Sequence, residues 1–384
     1  MIDTITLRLD ETQFSVREYS AFSPDCSNFF HAPYARMGSR GYIDAYQNST
    51  RKEQEAGIYK PQLTLRKRWQ KGAPHIYLYV QFSAPKLLFH NNFDELQRGD
   101  YDSIIDELHQ KLFDMFINTT RKDIETAQVV KIHYSKNIVL PEYVIPPMIT
   151  NEIRKVDFDL RYDLDEKSFK NAGHSIRFHS NEFEVIFYDK KKDLERSRIS
   201  DKRSVEKDNA IQMSLFEPIS KIKPFDVLRM EVRLNTLQRI KREFNVPKDS
   251  DILLKELFTE EKCTQVLSKY WDDILESYKF LTCSIDDLER YFARFMINNP
   301  NTRLTNMLAA HSFIYSLKTM GTKKFRRFLE VRYSKRSWYG LKRTMARYNL
   351  YGDLPSYFDA VTKALSDYKP LHLADHIGLD AKTG

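Results

Sequence analysis

The chain has 384 residues, with 61 Lys or Arg against 53 Asp or Glu, 41% hydrophobic and 13% aromatic side chains, and only 11 glycines. That length predicts two or three packed units, while the aromatic content excludes a disordered chain and the scarcity of glycine excludes a low-complexity one. The net charge of +8 says little by itself, but residues 323–347 hold ten Lys or Arg and one acidic residue, Glu330, a patch that favours a polyanion.

Alternation of apolar and polar residues marks strands through the first two-thirds. Ile5, Leu7 and Leu9 form one face of the first, and Leu63 and Leu65 mark another. Ile76, Leu78, Val80 and Phe82 define a half-buried strand ending at Pro85. An amphipathic helix is predicted over 103–118, then a strand over 129–135 in which Val130, Ile132 and Tyr134 oppose Lys131, His133 and Ser135. Strands follow over 157–164, 175–178, 184–188 and 227–234, with a charge-rich solvated helix or loop over 189–209 and a helix over 236–244. From Asp251 the spacing is helical almost throughout. A helix over 304–318 stops at Gly321, Thr322 is a cap for 323–331, and Ser334 is a cap for a basic helix through Arg347. Short helices around a glycine turn suggest a helix-turn-helix unit.

The expected fold class is α+β: antiparallel sheets with crossing helices, followed by an all-helical, helix-turn-helix-like C-terminal part. The expected units are 1–148, 149–250 and 251–384. Cys26, Cys263 and Cys283 are too few and too scattered for a disulfide framework or a zinc site. With no charged-then-apolar leader and no window approaching a spanning helix, the expected setting is a reducing cytoplasm with no membrane partner.

Chemistry concentrates on two strands. If Leu228, Met230, Val232 and Leu234 face the core, then Arg229, Glu231 and Arg233 share the other face. A carboxylate between two arginines suits a metal beside a phosphate, and equally suits a solvent-facing ion-pair strip. Tyr188 ends the preceding strand, where a tyrosine is either a packing residue or a nucleophile. As a nucleophile it needs help, because a phenol is protonated at neutral pH. Lys190, two residues on, is placed to lower that pKa or to bind the scissile phosphate. His133, beside Lys131, is either a metal ligand or an exposed polar residue, and His90 and Asn91 either meet the active centre or build a turn. His372 and His376 lack the glutamate of a zinc-protease helix, and no glycine-rich phosphate loop is present.

Taken in order, Met1-Ile2-Asp3 with Leu7-Arg8-Leu9, Ser83-Ala84-Pro85-Lys86, His90-Asn91-Asn92-Phe93, Lys131-Ile132-His133, Phe187-Tyr188-Asp189-Lys190 and Arg229-Met230-Glu231-Val232-Arg233 resemble the filamentous-phage gene II/X replication initiators and their plasmid relatives. The resemblance extends to the helical region around Tyr315 and Trp338. It implies that Tyr188 is the DNA-linking tyrosine, that Lys190 is the lysine two places on, and that Glu231 is the acidic residue of the later strand. His133 stands where the coliphage pattern has aspartate, and the paired histidines of the wider histidine-based nickases are absent. Histidine and aspartate both ligate magnesium or manganese, histidine tilting the preference toward manganese.

The resulting expectation is a metal-dependent nickase-ligase for rolling-circle replication, acting through a 5′-phosphotyrosine link. Tyr188 and Lys190 are the expected catalytic residues, and Glu231 and His133 the expected ligands of Mg2+ or Mn2+. Arg229, Arg233, Lys131, His90 and Asn91 are expected at phosphate or DNA, with Lys335, Arg336, Lys342 and Arg343 on the duplex. Expected partners are origin DNA, double-stranded and nicked or single-stranded, with host helicase and polymerase and a second copy as further candidates. The alternatives are a non-enzymatic origin-binding protein or repressor, and a tyrosine recombinase, disfavoured because Tyr188 follows a strand pattern.

Overall fold

A computed structural model describes residues 1–26, 42–193, 226–348 and 354–372, apart from residues 51, 54, 55, 71, 283, 284 and 286. Nine strands form one antiparallel sheet. In chain order they are β1 (Ile2–Asp10), β3 (Tyr42–Gln47), β4 (Gln62–Gln70), β5 (Ala73–Ser83), β7 (Gln128–Val139), β8 (Glu166–Lys170), β9 (Ser175–His179), β10 (Phe183–Asp189) and β11 (Val227–Leu234). Their order across the sheet is β3-β4-β5-β1-β7-β11-β10-β9-β8. Two short strands, β2 (Ser15–Val16) and β6 (Ile117–Asn118), pair separately. The two α+β halves thus meet edge to edge at β7 and β11, in register from Val139↔Val227 to Ile132↔Leu234.

Strand alternation is the reason one sheet face is apolar. Ile5, Leu7, Leu78, Val80, Ile132, Tyr134, Val185, Phe187, Met230 and Val232 are all buried, and the main core lies between that face and the helices. These include α1 (Ala84–Phe89), α2 (Tyr101–Asp114), α3 (Arg121–Thr126), α4 (Pro146–Lys155), α5 (Leu237–Glu243), α6 (Leu254–Leu257) and the long α7 (Glu260–Thr282). Trp271 of α7 lies 5.9 Å from the Phe187 ring, and Tyr134 donates a hydrogen bond to the Leu257 carbonyl. The other sheet face is therefore the one open to function.

A second core joins α8 (Leu288–Asn298), α9 (Leu304–Met320), α10 (Thr322–Glu330) and α11 (Lys335–Met345). The long α7 and the later α12 (Phe358–Ser366) belong instead to the main core, so the two cores divide after α7 rather than at residue 250. Trp338 sits in this second core between Phe313 and Phe325, with ring centroids 6.1 and 6.0 Å away. Trp338→Ala is expected to cost about 3–5 kcal/mol there. The loss should appear in calorimetry as an early transition, separate from melting of the sheet.

The α+β class holds, and four local expectations are corrected. The 157–164 stretch is not a strand. Asp159 accepts from the Leu164 amide and Tyr162 bonds back to the Phe158 carbonyl, so a 3-10 turn at Phe158–Leu160 replaces it. The helix expected through 118 stops at Asp114, because Phe116 turns to φ 64° and Ile117–Asn118 pairs with β2. Thr322 is not a cap: it is the first residue of α10, its amide bonded to Asp157 at 2.8 Å, and Gly321 at φ 74° makes the turn. Ser334 does cap α11, accepting from the Ser337 amide, although that helix ends at Met345. The charge-rich 189–209 segment lies outside the described residues from 194 on, as do Cys283 and His376. Cys26 and Cys263 are buried and unbridged, and among the described residues no helix is long and apolar enough to cross a membrane.

Candidate active site

Four adjacent strands carry the site on the face away from the helices. Across β7, β11 and β10 the register gives His133↔Arg233↔Glu184, Ser135↔Glu231↔Ile186 and Asn137↔Arg229↔Tyr188. Asp3 arrives from β1 by a break in alternation. Ile2 pairs with Tyr134 and Ile5 with Ile132, so Asp3 and Thr4 together oppose His133. That extra residue re-aims Asp3, which strict alternation would place with Ile5 and Leu7 in the core.

Asp3, His133 and Glu231 each offer a ligand atom, and the three atoms lie within 4.8 Å of one another. His133 Nδ1 is 3.4 Å from Glu231 Oε1. Two carboxylates and an imidazole are a donor set that suits manganese or magnesium. The side chain of Glu231 is only 2% exposed, while those of Asp3 and His133 retain 14% and 15%, so the set opens toward solvent on one side. Arg233 grips both Glu231 oxygens, Nε to Oε1 at 2.8 Å and Nη2 to Oε2 at 3.3 Å. Burial by itself would raise the Glu231 pKa; Arg233, His133 and Arg229 outweigh it and hold the carboxyl well below its ordinary range. The solvent-facing ion-pair strip is therefore excluded, since Arg229 and Glu231 are both buried.

Tyr188 lies in register with Arg229. Desolvation pushes its phenol well above 10, against the pull of Arg229 and with the push of Glu231. Lys190 stands just past the end of β10, in a helical turn over 190–193, rather than on the strand itself. It still flanks the tyrosine, with Nζ 5.9 Å from the Tyr188 ring centroid and 2.8 Å from Asn92 Oδ1. Burial, reinforced by Arg229, brings Lys190 down to about 7. Its ammonium is thus disfavoured in the fold, so the unfolded chain binds more protons between pH 7 and 10.5 and stability rises with pH over that window. Lys190→Met is accordingly expected to be more stable than the parent at pH 6–7 and to lose that advantage by about 1.4 kcal/mol per unit toward pH 10.5. Urea unfolding at pH 6.5 and 10 measures the difference, and an advantage constant across pH would refute the buried charge as its cause.

Two sequence expectations for phosphate contacts are corrected. Arg229 faces no solvent: Nη2 binds Asp3 at 2.7 Å and Ser135 at 2.9 Å, while Nη1 binds the Asn92 carbonyl at 2.7 Å and Asn137 at 3.3 Å. It is a strut that aims Asp3. Asn91 turns away to build its own loop, accepting from the Phe93 and Asp94 amides, and the next residue, Asn92, reaches the site in its place. His90 caps α1 at φ 59° and is exposed. Arg233 is partly exposed and Lys131 is exposed. On α11, Lys335, Arg336 and Arg343 are exposed, and Lys342 lies over the Tyr339 ring. Asp3, Asn92, Ser135 and Asn137 join the site in addition to the residues expected from the sequence. The only signal for the last two was their shared strand face with His133.

Compared with protein-family models, curated proteins and solved structures, the chain has no match.

Proposed function

We propose that the protein is a rolling-circle replication initiator that nicks and rejoins one strand of origin DNA. The observation that carries this reading is the meeting of a tyrosine and an Asp3–His133–Glu231 ligand set on four neighbouring strands, with Lys190, brought down to about 7, in the turn that follows the tyrosine's strand. A packing tyrosine requires none of these neighbours. In the proposed step the Tyr188 oxygen attacks phosphorus, the P–O3′ bond breaks, and a phosphodiester to tyrosine replaces the one lost. Neutral Lys190 takes the phenol proton, and the departing 3′ oxygen takes a proton from water to become the priming hydroxyl. Reversal of the same exchange rejoins an end without ATP, because the phosphotyrosine bond keeps the phosphodiester energy.

Asp3, His133 and Glu231 would hold the Mg2+ or Mn2+ ion, which when bound withdraws charge from the phosphate. Arg229 keeps Asp3 aimed at that position, and Arg233 keeps Glu231 ionised and fixed. Arg233, partly exposed, and Lys131 are cations beside the ligand set with a path to phosphate oxygens. The basic α11, held to the sheet unit by Tyr339 on Asp163, which Arg326 of α10 also binds, would grip duplex phosphates as the second element of a helix-turn-helix.

The test is incubation with supercoiled DNA bearing the origin and Mn2+ or Mg2+, followed by mass mapping of the DNA-linked peptide. A 5′-nucleotide adduct on Tyr188 is expected. Origin binding with no nick and no adduct would favour the non-enzymatic repressor instead.

A further inference from the structure

The polar face of the sheet continues well beyond the metal ligands. Two residues before His133 on β7 stands Lys131, paired with Thr6 of β1, which pairs in turn with Gln81 of β5. The next row holds Arg8 opposite Tyr79, and the row after it Tyr77 opposite Arg66. At about 7 Å per row, three rows extend roughly 20 Å from His133. Guanidinium groups and rings alternate along this path: Arg8 lies 5.0 Å from the Tyr77 centroid, and Arg66 lies 4.1 Å from Tyr42 and 5.1 Å from Tyr79. All five side chains are half-exposed, and Lys131 is exposed. Acidic groups on this face are matched: Asp44 is held by Arg66 at 2.6 and 2.7 Å, and Asp10 lies 3.4 Å from Arg8. Thr6 Oγ1, in the row that pairs with Lys131, is buried without a hydrogen-bond partner among the described residues.

We infer that this half of the sheet, from Lys131 across Arg8, Tyr79 and Tyr77 to Arg66 and Tyr42, is a track for single-stranded DNA leading to the metal ligands. Charge and shape both favour that occupant over a duplex. Aromatic rings on an open sheet can stack only on unpaired bases, whereas a duplex would offer them phosphates alone. The cations between the rings match a backbone that passes beside stacked bases. Continuity with His133 means that a strand on this track delivers its next phosphate to Tyr188. This deepens the nicking proposal and rests on it only for that last connection.

The test uses full-length protein carrying Tyr188→Phe, without added metal, so that no strand is cut. Binding of a fluorescein-labelled oligothymidylate about 12 nucleotides long and of a duplex of equal length is followed by anisotropy. Tyr77→Ala and Tyr79→Ala are each expected to weaken the single strand about tenfold and to leave the duplex unchanged. Tyr79→Phe, which keeps the ring, should bind like the parent and so controls for folding. Lys335→Ala with Lys342→Ala should do the reverse, weakening the duplex only. Unchanged single-strand affinity in the Tyr77→Ala, Tyr79→Ala double variant overturns the track, as does an equal loss for both DNAs. Failure of nicking, by contrast, shows as the absence of an adduct on Tyr188 in the parent protein while these binding differences persist.

Discussion

Tyr188→Phe is expected to reduce cleavage of supercoiled origin DNA by about 10⁴-fold or more while leaving origin affinity within about twofold. The change removes one oxygen from a half-buried ring and disturbs little else: among the described residues no hydrogen bond to the hydroxyl holds the strand, and the β10 register with β9 and β11 is made by backbone groups. Stability should therefore stay close to the parent value. A phenol held above 10 by desolvation is a poor nucleophile until its proton has somewhere to go, and Lys190 near 7 supplies that acceptor. Lys190→Met should consequently slow nicking as well, with a rate that no longer rises through pH 7. Agarose-gel conversion of supercoiled to open circles across pH 6–8.5 separates the two residues. If Tyr188→Phe nicks at the parent rate, the nucleophile lies elsewhere and the proposed chemistry fails.

Local periodicity made much of this arrangement legible. In β11 the apolar positions Leu228, Met230, Val232 and Leu234 leave one possible face for Arg229, Glu231 and Arg233, and the register puts Tyr188 beside them. What periodicity does not carry is contact across the chain. Arg229 looked like a phosphate ligand because its four partners come from Asp3, Asn92, Ser135 and Asn137, up to 226 residues away. Asp3 was hidden by the very pattern that revealed β1, since its phase is that of Ile5, Leu7 and Leu9 until the extra residue opposite His133 shifts it. Asn91 and Asn92 could not be told apart by composition. The first spends its amide on the Phe93 and Asp94 turn, which leaves the second to face Lys190. Likewise the alternation at 157–164 was real, but Asp159 satisfied the Leu164 amide and coiled the segment into a turn.

Glu231→Gln is expected to cost about 3–5 kcal/mol of stability at neutral pH without metal and to abolish stabilisation by Mn2+. The carboxylate is the meeting point of three positive or potentially positive groups, Arg233 in direct contact, His133 at 3.4 Å and Arg229 two residues away on the same strand face. Glutamine keeps the shape and one acceptor oxygen, but it presents an amide nitrogen where a guanidinium donates and leaves the buried Arg229 and the partly exposed Arg233 with less compensating charge. Asp3 alone then faces Arg229, and the ligand set loses one of its two carboxylates. Millimolar Mn2+ should raise the melting temperature of the parent and leave Glu231→Gln unmoved, because only a folded state with the full set binds the ion. His133→Asn supplies the intermediate case: it removes the imidazole but neither arginine's partner, so it should lose the Mn2+ shift at little cost in metal-free stability. Equal Mn2+ shifts in all three proteins, read by scanning fluorimetry, would mean that the three side chains are an ion-pair network and not a metal centre.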